Sequence, residues 1–153
     1  VADTDRQDRV LSNAAAIATE PDGAALLAAL ADFSLPPEQF GHRNHVHAAW
    51  QCLRAAPLPQ ATERFCSLLI RYVDHLGARD KYHHSLTVAL LHLIAARMRD
   101  DQDWETFIAA HPELLHDARA LLSQHYSPEC LGSDAARLGF VAPDRAPLPR
   151  ADH

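Results

Sequence analysis

The chain has 153 residues, the length of one domain with a sizeable core. Hydrophobic residues make up 48% and charged residues 22%, an ordinary globular balance that excludes whole-chain disorder. Acidic residues outnumber basic ones 20 to 14; the net charge of -6 argues against a nucleic-acid partner and gives no electrostatic reason to sit on anionic lipid.

Helical spacing of apolar residues runs along the chain, and strand signals are weak. A first helix is expected over about 5–19, with Val10, Ala14 and Ile17 on one stripe. Asp22 is placed to cap a second, to about 32, with Leu26, Leu27 and Leu30 inward. Ser34-Leu35-Pro36-Pro37 breaks the chain. A third helix covers about 44–56 or begins somewhat earlier, and Pro57 and Pro59 separate it from a fourth at about 60–76. Gly77 suits the left-handed position that ends this helix.

The fifth helix, about 84–99, is apolar on most sides and is expected to be the buried centre. Asp103 caps a short helix to Ala110, and Pro112 opens another to about His125. Ser127-Pro128-Glu129 and Ser133-Asp134 are two further helix starts. The expected fold is all-α: a single-domain bundle of seven or eight short helices over 1–142, followed by a Pro-rich tail, 143–153, that reads as extended.

The longest apolar stretch, 88–96, contains His92 and falls far short of the roughly 20 residues of a membrane span. The acidic, polar start of the chain has no signal-peptide pattern. Cys52, Cys66 and Cys130 form no C-x-x-C and no even disulfide framework. A soluble, cytoplasmic protein with no membrane partner is the expectation.

Chemistry centres on the 11 histidines. In Gly41-His42-Arg43-Asn44-His45-Val46-His47, stepping back one turn from Val46 and Ala49 puts His42 and His45 on the core side, while His47 shares the side of Gln51 and Arg54 and reads as solvent-facing. Two inward imidazoles need partners. Either backbone carbonyls or the Tyr82 hydroxyl satisfy them, or they share a metal ion, since neutral imidazole is the commonest metal ligand. In Lys81-Tyr82-His83-His84, at least one imidazole must face inward because the following helix has little polar surface. Neighbours on a helix diverge by about 100°, so His83 is preferred and His84 is a possible further ligand. His92 is a core histidine or a further site residue. No H-E-x-x-H, phosphate-binding glycine loop, dinucleotide fingerprint or nucleophile elbow is present.

Three segments carry a resemblance: Phe40-x-His42-x-x-His45-x-x-x-Ala49-Trp50; Lys81-Tyr82-His83-x-Ser85-Leu86-Thr87; and Tyr126-Ser127-Pro128-Glu129 with Leu131-x-Ser133-x-x-Ala136-Arg137. Together they resemble an uncharacterised family of small all-helical bacterial proteins over about residues 40–148. The resemblance implies a helical fold and a shared role for His42, His45 and His83, and no particular reaction. The family pattern is often acidic at positions 44 and 84, where this chain has Asn44 and His84.

The leading expectation is a metal-dependent enzyme acting on a small-molecule substrate. His42, His45, His83 and His84 are the ligand candidates, and nitrogen-rich ligation suits iron, copper or zinc. Tyr82 is the candidate proton donor or substrate anchor, and Arg43 the candidate carboxylate clamp. The chemistry reads as oxygenase or oxidoreductase, with a zinc-dependent lyase or hydrolase as the alternative. The other class of reading is a non-enzymatic binding or interaction module whose core histidines are hydrogen-bonded.

Overall fold

The computed structural model describes residues 22–150; the helix expected over 5–19 and His153 lie outside the described residues. Among the described residues there is no strand, and nine α-helices follow in chain order. They are α1 (Gly23–Ala31), α2 (His42–Ala55), α3 (Leu58–His75), α4 (His84–Arg97) and α5 (Trp104–Ala110), then α6 (Glu113–His116), α7 (Ala118–Ser123), α8 (Pro128–Leu131) and α9 (Asp134–Leu138). Single 3-10 turns at Pro37–Gln39 and Arg79–Lys81 sit before α2 and α4. The all-α bundle is as the periodicity implies. Among the described residues no helix is long and apolar enough to cross a membrane.

The starts follow the capping chemistry. Asp22, Asp103, Ser127 and Ser133 each accept a backbone N–H from the third residue on. Pro59 falls within the first turn of α3, where a missing N–H is harmless, so α3 begins two residues earlier than expected. The helix expected from Pro112 to about His125 is instead two pieces. Asp117 leaves helical geometry at φ -129°, ψ 24°, as befits a residue whose side chain competes with the helix.

α2, α3 and α4 pack mutually, with α1 laid across α2 and α3. Leu26, Leu30, Val46, Phe65, Leu91, Ile94 and Phe107 are fully buried between them. Burial is shared: α4 buries nine of its 14 residues and α2 seven of its 14. α4 buries the larger share, while the small Ala48, Ala49 and Cys52 of α2 are also fully buried.

Two helix ends differ in kind. Gly77 has φ 67°, with open space where a Cβ would stand. Gly77→Ala should therefore cost about 1 kcal/mol through left-handed strain alone, read as a lower urea midpoint at unchanged slope. The end of α1 uses Phe33 at φ 66°, an unusual conformation for a bulky residue. Its ring stacks on His75 at 4.3 Å, which holds it there.

Residues 139–150 have no regular structure but lie along the bundle as a strap. Ser85 Oγ donates to Gly139 O (2.6 Å) and accepts from Val141 N (2.9 Å), while the buried Tyr126 hydroxyl donates to Val141 O (2.6 Å). Arg145 N donates to His125 O (2.9 Å), and Ser127 Oγ donates to Asp144 Oδ2 (2.6 Å).

Candidate functional site

The predicted histidines fall at the starts of α2 and α4, where His42 and His83 reach backbone carbonyls; the core-side placing of His42 is a correction, because in the first turn of α2 it stays exposed while His45 is half-buried. A carbonyl only accepts, so each ring nitrogen facing one carries the proton. His42 Nε2–H donates to Leu114 O at 2.8 Å, tying α2 to α6. His83 Nε2–H donates to Leu131 O at 2.6 Å, tying the start of α4 to α8. Its other nitrogen, Nδ1, accepts from Leu86 N at 3.1 Å, so His83 is the N-cap of α4. The His83 carbonyl also accepts from Thr87 Oγ1 at 2.7 Å. With both ring nitrogens engaged, His83 has none left for a cation in this arrangement.

His84 turns to its neighbour, with Nδ1 2.7 Å from the Tyr82 hydroxyl. His92 Nδ1 and His125 Nδ1 donate to Pro149 O (3.3 Å) and Ala146 O (3.0 Å), both in the strap. Four histidines thus brace carbonyls 21 to 72 residues away in sequence.

His45 is different. Its imidazole packs against Phe40 and Phe65, each with ring centroids 5.3 Å away, and makes no hydrogen bond among the described residues. Burial pulls it from the usual 6.5 down to about 4, and the neighbouring His42 adds to the effect. It is neutral at physiological pH, half-buried, and opens onto a cavity of about 400 Å³. Phe40, Tyr72, Tyr82 and Leu86 supply aromatic and apolar walls; Thr87, His83 and Lys81 supply polar edges.

Tyr72 and Tyr82 are held in place. The Tyr72 hydroxyl donates to Leu35 O at 2.7 Å. Burial first, then the adjacent Cys66 thiol, raises the Tyr82 hydroxyl well above the ordinary tyrosine range. It keeps its proton at physiological pH. Cys52 and Cys66 are buried, and burial pushes both thiols up, Cys52 to about 11, so neither is an activated nucleophile.

His83 and Leu86 also line a second cavity of about 680 Å³, together with His42. The candidate residues are therefore divided: His45, Tyr82 and His83 on one cavity, His42 and His83 on the other, and His84 on neither. Arg43 lies on neither as well; its guanidinium stands over the Trp104 ring at 5.7 Å and 3.7 Å from Glu105. Among the described residues no three His, Cys, Asp or Glu side chains are grouped to hold a metal ion.

Solvent exposure of His47 is a correction. It is 3% exposed and stacked on Trp104 at 4.2 Å and 5°, because α5 returns over the side of α2 that looks polar in isolation. Register alone did not single out Lys81 or Phe40 as cavity residues, although both stand in the segments that carry the family resemblance. Tyr72 carried no such signal. Comparison with family models, curated proteins and solved structures finds no match for this chain.

Proposed function

We propose that this chain is a helical binding module for a small, flat, largely apolar molecule seated in the His45 cavity. The observation that carries this reading is the state of His45: neutral, unbonded among the described residues, and facing a concavity walled by aromatic rings. Small-molecule sites combine an apolar lining with a few fixed polar groups, and about 400 Å³ falls within their usual range of about 300–1,000 Å³. A neutral imidazole offers one acceptor and one donor, so His45 would orient a ligand that presents a single N–H or O–H.

Indole and benzofuran, alike in shape but differing in one N–H, are the probes. Indole should bind two- to tenfold tighter than benzofuran, the span of a net hydrogen bond of about 0.5–1.5 kcal/mol. His45→Phe should abolish the preference, measured by chemical-shift titration. Equal binding of both probes to the natural protein would contradict the reading.

The metal-dependent enzyme remains the second reading, favoured by one feature. An open, neutral imidazole is the form that ligates iron, copper or zinc. For His42 and His83 to join it, three hydrogen bonds must be released, at about 0.5–1.5 kcal/mol each. Elemental analysis of untagged protein separates the two readings. Stoichiometric metal in the natural protein, lost in His45→Ala, would establish the metal site, whereas the binding module predicts no such metal.

A further inference from the structure

The second cavity, of about 680 Å³, lies between α6–α7 and α8. Its walls are apolar: Leu115, Leu122 and Leu131, with the ring of Tyr126. The break at Asp117 separates α6 from α7, and His116 at the end of the first and the cationic Arg119 in the second both line the cleft, as does His42 on α2. No aspartate or glutamate lines it, although the chain carries 20 acidic residues against 14 basic ones. Arg119 is exposed and forms no ion pair among the described residues.

Apolar walls with an unpaired guanidinium at the mouth complement one kind of molecule. We propose that this cleft is a binding site for a monomeric amphipathic carboxylate, with its hydrocarbon body against the leucines and its carboxylate on Arg119. The guanidinium fork matches a carboxylate through two parallel N–H donors, which a neutral head group cannot reproduce. This cleft shares His83 and Leu86 with the His45 cavity, and its other lining residues are its own.

Octanoate and octanol are the probes, equal in chain length and different in charge. In a ¹⁵N-labelled titration, octanoate should give saturable shifts clustered at Leu115, Arg119, Leu122 and Leu131. It should bind about tenfold tighter than octanol. Because Arg119 is exposed, Arg119→Gln should leave the fold intact, cut octanoate affinity to that of octanol, and leave octanol unchanged. Equal affinity for the two probes, an Arg119→Gln variant that still prefers octanoate, no saturable shifts, or shifts clustered instead at Phe40 and Tyr72 would each overturn the proposal.

Discussion

His83→Ala is expected to be among the most destabilising single changes at the surface of this bundle, by about 2–4 kcal/mol. Two losses add. The N-cap of α4 disappears, worth about 1 kcal/mol, and the Leu131 carbonyl loses its donor, worth about 1–3 kcal/mol. His83→Asn separates them. Asparagine is a strong N-cap but too short to span to α8, so it should recover the cap and leave about 1–3 kcal/mol lost. Chemical denaturation of the three proteins reads both steps; a His83→Ala variant within 0.5 kcal/mol of the natural protein would show that neither bond matters, on the order of an ordinary surface change.

Acid should find His45 next. Its folded value of about 4 lies below the usual 6.5, so between those values the unfolded chain binds more protons than the folded one. The contribution is fully present above pH 6.5 and is lost as pH falls toward 4, up to about 3 kcal/mol. His45→Phe removes the titrating group and keeps an aromatic ring against Phe40 and Phe65. The stability of the natural protein relative to this variant should fall across that window and level off below it. Parallel curves for the two proteins from pH 7 to 4 would mean that His45 titrates normally.

Much of the fold was legible because helix starts are local chemistry. Asp22, Asp103, Ser127 and Ser133 each carry their own cap, and Gly77 its own stop. The break at Asp117 was not, since one poor helix former inside a periodic stretch need not end it. The candidate site was legible by half. Register puts His42 and His45 on the core side of α2, but His42 is exposed and His45 half-buried, and register says nothing of what a returning segment offers an imidazole. Leu114 offers its carbonyl to His42 and Leu131 offers its own to His83, 72 and 48 residues away. The capping role of His83 was hidden for a second reason: imidazole is not among the usual capping groups, and only an unprotonated Nδ1 with its far nitrogen anchored can take the part. His47 shows the converse, a polar-looking face that Trp104 covers.

The most direct test is the protonation state of the imidazoles, read by long-range ¹H–¹⁵N correlation from pH 7 to 3.5. In its neutral form His83 should appear as one tautomer, with an exchange-protected Nε2–H and a bare Nδ1, and His45 should stay neutral until pH approaches 4. A His45 that titrates near 6.5, or a His83 whose Nδ1 carries the proton, would contradict the arrangement on which the binding site rests.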